Sequence, residues 1–281
     1  MKKSWIGNYI GETIGVFIIV FFGCGLLHSA ILHNQVSGVF QASVGWGFAV
    51  ALAVWMGGAL SGAHYNPAVT IALAWRRGFP WSQVLPYIVA QIVGGFLGAV
   101  ALGTIYSTDI TAFAAANNIV KTDANGLLLA LMYAPYSPHP GMFGIVNAGT
   151  AEAANQMAAE WAPWWIGTIT EFLATALLMG GILNFLDENQ GFKPGSWFPL
   201  ALGVLVTMIV FVTAPLSMTS LNPARDLGPR IWLALNGYGQ WAFPGFQGGG
   251  STVATVIGPI LGALFGAFMF DKFVRPYMGK A

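Results

Sequence analysis

Two stretches of this sequence start a helix in the same way, and neither helix is long enough to cross a bilayer. Ser61-Gly62-Ala63-His64-Tyr65-Asn66-Pro67-Ala68 is echoed by Met218-Thr219-Ser220-Leu221-Asn222-Pro223-Ala224-Arg225. Asn is a favoured N-cap, because its side-chain oxygen accepts one of the orphan amide hydrogens at a helix start. Pro suits the first helical position, where its missing N–H costs nothing. The apolar runs that follow, 69–75 and 231–235, fall short of the roughly 20 apolar residues that a spanning helix needs. Two half-length helices at corresponding places in an apolar chain predict a pore or transport site near mid-membrane.

The surroundings fit a bilayer. Charged residues make up 7% of the chain and hydrophobic residues 56%, whereas a soluble domain carries roughly 25% charge. So few charges do not cover a surface in water, and the chain reads as an integral membrane protein. Its 281 residues hold six spans of about 20 residues plus loops. A formal net charge of +1 without a basic stripe gives no reason to expect nucleic acid. Cys24 is the only cysteine, which excludes an intramolecular disulfide and a CxxC metal site and leaves it as a packing residue. Lys2 and Lys3 precede an apolar stretch, as in a secretory leader. That stretch runs to residue 32 and contains Glu12, so it reads as a retained first span.

Taken in order, the spans fall at about 5–32, 39–60, 84–106, 164–185, 198–214 and 252–270, with the short helix starts after the second and fifth. Residues 107–163 form a long, mixed connection with Pro135, Pro138 and Pro140 and a candidate surface helix at 150–161. It is expected to fold over one mouth of a pore. Lys2, Lys3, Arg76, Arg77, Lys193, Lys272, Arg275 and Lys280 all fall on one side of this scheme. On the other side's loops only Lys121 is basic, apart from Arg225 and Arg230 on the second half-helix. The positive-inside rule then makes both termini cytoplasmic. Glu12 precedes Asn66 by nearly the distance at which Glu171 precedes Asn222, and three spans separate the two units. The halves, about 5–106 and 164–270, therefore insert with opposite orientation as an inverted repeat. Carboxylates inside spans are expensive and face the bundle interior. The fold expected is all-α: six transmembrane helices and two re-entrant half-helices in a single channel domain over 1–281.

These residues resemble the major intrinsic proteins, the aquaporins, and within them the aquaglyceroporin or glycerol-facilitator branch. The resemblance is carried by Gly11-Glu12, residues 61–70, Gln91, Glu171 and residues 222–230. It covers nearly the whole chain except the 107–163 connection, and the paired Asn-Pro-Ala boxes with an upstream glutamate each are specific to it. It implies a passive channel without a cofactor or metal, for small neutral solutes such as glycerol and water. The channel would exclude ions and protons, sit in a cell membrane of the prokaryotic plasma-membrane kind, and assemble as a homotetramer with one pore per subunit. By the resemblance, Asn66 and Asn222 of the boxes Asn66-Pro67-Ala68 and Asn222-Pro223-Ala224 donate to a passing oxygen. The backbone carbonyls of Gly62, Ala63, His64 and Tyr65, and of Met218, Thr219 and Ser220, form an acceptor ladder. Glu12 and Glu171 hold the loops that carry it. The selectivity filter would be Trp46, Val210, Thr219 and Arg225. Asp226 and Arg230 stand where glycerol-conducting members carry an acidic and a basic residue.

One filter position departs from that branch: Thr219 stands where glycerol facilitators usually carry an aromatic. Val210 stands where water channels usually carry histidine, and the absence of His together with the presence of Trp46 argues against a strict water pore. Thr255 replaces a frequent Pro of the glycerol facilitators. The alternatives left open are a water-selective channel, or one for urea, ammonia, peroxide or metalloid hydroxides. An ion-coupled transporter needs charged groups at the midplane beyond Glu12 and Glu171, and the spans offer none. An enzyme needs a nucleophile set, a paired-carboxylate cleft or a phosphate loop, and none is seen.

Overall fold

A computed structural model of the protein describes residues 5–279. Lys2, Lys3 and Lys280, three of the basic residues in the charge argument, lie outside the described residues. Eleven α-helices occur among those described, with no strand. They are α1 (Trp5–His33), α2 (Val39–Ser61), α3 (Pro67–Arg76), α4 (Trp81–Ile105), α5 (Ser107–Ala116), α6 (Leu127–Ala130), α7 (Ala151–Trp161), α8 (Trp164–Leu186), α9 (Phe198–Ser217), α10 (Pro223–Leu235) and α11 (Gly250–Met269). α1, α2, α4, α8, α9 and α11 are long and apolar enough to span a membrane. Leu85, Leu177 and Val212 on these helices are 69%, 64% and 68% exposed. Such a band of bare aliphatic side chains suits lipid, not water.

The two halves repeat one arrangement. α1 packs on α2 and α4, α8 packs on α9 and α11, and α2 lies along α9 across the centre. Close approach comes from glycine at the crossings. A Cβ on Gly94 would stand 2.3 Å from Thr13 O, and one on Gly262 would stand 2.2 Å from Phe172 O. The stripe Gly258, Gly262 and Gly266 is therefore used against α8 within one subunit.

α2 stops at Gly62, in the left-handed region at φ 88°, a backbone that glycine adopts without strain. α9 stops at Met218 with φ 52°, which costs a side-chain-bearing residue more. The chain then turns into α3 or α10, each starting at a capped Asn followed by Pro. At their far ends Arg76 and Arg77 both reach Asp271 at 2.7 Å, which ties α3 to the end of α11.

The 107–163 connection is more ordered and more buried than its mixed composition implies. It contains α5, α6 and α7, and residues 127–138 are buried except for half-buried Leu128. The helix at Ala151–Trp161 is capped by Thr150, and Asn117, Asn118, Lys121 and Asp123 are exposed. The buried block has a mechanical cause, given below.

Candidate functional site

The half-helix starts meet. Asn66 Oδ1 accepts from Ala68 N at 2.9 Å, and Asn222 Oδ1 accepts from Ala224 N at 3.0 Å and from Arg225 N at 3.3 Å. The amide nitrogens cross over: Asn66 Nδ2 donates to Leu221 O at 2.8 Å, and Asn222 Nδ2 donates to Tyr65 O at 2.6 Å. The tips of α3 and α10 are thus strapped together by two reciprocal hydrogen bonds. Each amide carries two hydrogens, so one per side chain remains. The Tyr65 carbonyl, expected to be free, is taken by Asn222. Each tip also aims about half a positive charge at this point.

The loops before the tips hold a backbone that few side-chain-bearing residues adopt. Ala63 and Tyr65 in the first, and Thr219 and Leu221 in the second, have φ between 50° and 57°. Left-handed backbone costs on the order of 1–3 kcal/mol per residue and persists where neighbours enforce it. Here the enforcement comes from the carboxylates. Glu12 accepts from His64 N at 3.1 Å and Tyr65 N at 2.7 Å; Glu171 accepts from Ser220 N at 2.7 Å and Leu221 N at 2.8 Å. Both glutamates are fully buried. Gln91 Nε2 adds a bond to Glu12 and one to Thr70 Oγ1. His64 Nδ1 lies 3.2 Å from Thr70 Oγ1, with its ring against Phe79.

A cavity of about 80 Å³ runs beside the tips. One wall is aliphatic, with Val50, Val54, Leu178, Ile182, Leu202 and Val206. The other is built from Ala63, His64, Tyr65, Asn66, Thr219, Ser220, Leu221, Asn222 and Arg225. A second chamber of about 230 Å³ opens beyond it, bordered by Leu131, His139, Met142 and Met218. Trp46, Val210 and Arg225 border both chambers, so these three side chains form the neck between them. Gly62 borders neither chamber, and Met218 borders only the outer one. His139, in the outer chamber, has burial pushing its pKa down to about 4, so it is neutral at ordinary pH. Its Nδ1 accepts from Gly141 N at 3.1 Å and from Met142 N at 3.3 Å.

At the neck the Arg225 guanidinium lies 4.5 Å from the Trp46 ring centroid and donates through Nη1 to Tyr133 O at 2.8 Å. Trp46 is seated by an absence. A Cβ on Gly23 of α1 would meet the Trp46 ring at 2.2 Å, so only glycine leaves the ring its place. Gly23→Ala forces the indole to shift, at a cost of about 1–3 kcal/mol, and Trp46 is one of the three side chains that form the neck. Solute flux through reconstituted Gly23→Ala is expected to fall about tenfold, with a smaller loss for water. Equal flux in the variant and the parent, measured by stopped-flow light scattering, would remove Gly23 from this role.

Asp226 and Arg230 lie elsewhere. They pair at 2.5 Å, both fully buried, and neither borders a chamber. Arg230 also donates to Pro135 O at 2.6 Å and Ala242 O at 3.1 Å, and Thr255 Oγ1 donates to Asp226 Oδ2 at 2.6 Å. Two arginines of one half-helix thus hold the outer connection by its carbonyls, Arg225 at Tyr133 and Arg230 at Pro135. This is what draws residues 127–138 into the interior. Gly23, Tyr133 and the clamp on Pro135 carry no local sequence signal, since each depends on a partner distant in the chain. Among the described residues no cluster of His, Cys, Asp and Glu has the makings of a metal site.

Six spanning helices around a necked lumen, with two half-helices meeting tip to tip beside it, define a channel of the inverted-repeat class. The sequence matches the Major intrinsic protein family over residues 1–270, and the chain belongs to that family of channels, which are not enzymes. It is 35% identical over 272 residues to the glycerol uptake facilitator protein of Haemophilus influenzae, covering 97% of this chain and 95% of that protein. It is 33% identical over 274 residues to the propanediol uptake facilitator PduF of Salmonella typhimurium, covering 98% and 96%. The solved structure of the aquaglyceroporin from Plasmodium falciparum shares the fold, with a TM-score of 0.76 at 24% identity over 98% of this chain and 99% of that one.

Proposed function

We propose that this protein is a passive membrane channel for glycerol and related small uncharged solutes, that it also passes water, and that it excludes ions and protons. The observation that carries this reading is the two-faced lumen. An aliphatic wall faces a wall of amides, carbonyls and one guanidinium, and a polyol has the same division between its C–H edge and its hydroxyls. The names of the glycerol and propanediol facilitators it resembles point the same way.

In this reading Trp46, Val210, Thr219 and Arg225 form the selectivity filter. The indole takes the carbon backbone, and the guanidinium, with donors in a fixed fork, takes the hydroxyls and repels cations. Asn66 and Asn222 each give their remaining amide hydrogen to a passing oxygen. Carbonyls of Ala63, His64, Thr219 and Ser220 accept along the same wall, where irregular backbone is tolerated because it lines a wet cavity. Glu12 and Glu171 are loop supports. Residues 1–281 act as one channel domain in the cell membrane. Both termini are cytoplasmic, a reading supported by Arg76, Arg77, Lys193, Lys272 and Arg275 at one end of the spans. Four copies assemble, each with its own pore.

The test is stopped-flow light scattering on proteoliposomes. Glycerol is expected to enter at least tenfold faster than into empty liposomes; water that moves while glycerol does not would sink the polyol reading. Thr219, in place of an aromatic, favours a wider set that includes urea, which the same assay reads.

A further inference from the structure

Thr213, on α9, borders neither chamber, yet it decides what Thr219 offers to a solute. Its Oγ1 lies 2.8 Å from Ile209 O and 2.8 Å from Thr219 Oγ1. A threonine hydroxyl has one hydrogen and two lone-pair sites, and a carbonyl oxygen only accepts. Were the Thr213 hydrogen turned to Thr219, the contact with Ile209 O would set two oxygens against each other without a proton between them. Both contacts are hydrogen bonds in one arrangement alone. Thr213 donates to Ile209 O, and Thr219 donates to Thr213.

The Thr219 hydrogen is therefore spent inside the protein. What the lumen meets of that hydroxyl is lone-pair density, never a donor. Thr219 has little freedom to change this. It is 6% exposed, and its backbone stands at φ 51°, where a β-branched residue is an outlier. The adjacent Ser220 N is fixed by Glu171.

Building on the channel reading above, we infer that Thr213 is a positioning residue that sets Thr219 as a hydrogen-bond acceptor, so that the filter favours neutral solutes that donate as well as accept. Arg225 supplies donors only, and Thr219 supplies the complementary acceptor. Polyols and ureas, with O–H or N–H groups beside an acceptor oxygen, satisfy both residues at once. Solutes that only accept leave Thr219 unpaired in the narrow inner chamber beside the neck, where a stranded polar group is penalised.

The experiment compares parent protein, Thr213→Val and Thr213→Ser in proteoliposomes, with glycerol, urea, water and dimethyl sulfoxide, a small neutral solute that only accepts, as probes. Valine has nearly the shape of threonine without the hydroxyl. It frees the Thr219 hydroxyl to turn its own hydrogen toward the lumen. The permeability ratios of glycerol and of urea to dimethyl sulfoxide are expected to fall about fivefold in Thr213→Val, the size expected for one hydrogen bond, and to return in Thr213→Ser. If the ratios stay constant while all fluxes fall together, Thr213 is merely structural and the inference is overturned. It is overturned equally if Thr213→Ser behaves as the valine variant. A parent protein that passes water alone would instead sink the polyol reading on which the inference rests, an outcome that the parent arm reports by itself.

Discussion

Replacing Arg225 by valine is expected to raise proton conductance through the channel by roughly ten- to a hundredfold, while water permeability stays within about threefold of the parent. The guanidinium is 2% exposed and stands in the neck over the Trp46 ring, so a passing ion cannot avoid it. A unit charge about 4 Å away is worth roughly 4 kcal/mol at an effective dielectric of about 20, close to three decades in the population of a cation. The full three decades are not expected, because the tips of α3 and α10 keep about half a positive charge each. The reciprocal bonds from Asn66 and Asn222 do not involve Arg225 and remain to hold those tips. Valine also leaves Tyr133 O with Cys24 Sγ, at 3.3 Å, as its remaining donor, which loosens the outer connection. Its anchor at Pro135 O, made by Arg230, is untouched, so the variant is expected to fold. The measurement is decay of an imposed pH gradient in liposomes loaded with a pH-sensitive dye. A leak indistinguishable from that of the parent would locate the whole barrier at the helix tips and none of it at the neck.

The parts of this architecture that announce themselves in sequence are those whose chemistry is local or costly. An N-cap Asn followed by Pro needs no tertiary partner to be recognised, and two copies gave the tips of α3 and α10. A carboxylate within an apolar span has to be satisfied by something; the near-equal spacing from each Asn marked the repeat, and the family resemblance implied the loops, where Glu12 and Glu171 are in fact bonded. The i, i+4 spacing of Asp226 and Arg230 suits a pair along a helix but says nothing of what the pair holds. Arg230 reaches Pro135, some ninety residues away, and no periodicity records that. Residues 127–138 read as part of a long, mixed connection because the reason for their burial lies in α10. The seat of Trp46 is a missing Cβ at Gly23, invisible until two helices are placed side by side. The left-handed backbone at Met218, Thr219 and Leu221 was equally hidden, since none of these residue types favours it. Strain of that kind persists only where surrounding bonds enforce it, and those bonds come from another helix.

That enforcement yields the second large effect. Glu171→Ala is expected to abolish solute flux to within about a tenth of the parent value and to cost roughly 2–6 kcal/mol, taking about 1–3 kcal/mol for each buried amide left without an acceptor. The amides are Ser220 N and Leu221 N. They flank and include the left-handed residues whose carbonyls and side chains border the lumen, so the loop that relaxes is the lumen wall itself. Glu12→Ala strands His64 N and Tyr65 N in the same way, but its loss is expected to be several-fold milder. Gln91 already touches Glu12 through Nε2, and its Oε1 is buried without a partner. Once the carboxylate is gone, a turn of that amide presents an acceptor to the stranded N–H groups. In the second half the bonds to Glu171 are made by the loop itself, and no glutamine from α11 shares in them. The two variants, and Glu12→Ala combined with Gln91→Leu, separate this account from a generic intolerance of lost carboxylates. Thermal melting in detergent and glycerol flux in liposomes should rank Glu171→Ala with the double variant, and both below Glu12→Ala. Equal damage from Glu12→Ala and Glu171→Ala would mean that Gln91 offers no relief and that the asymmetry between the halves has no energetic weight.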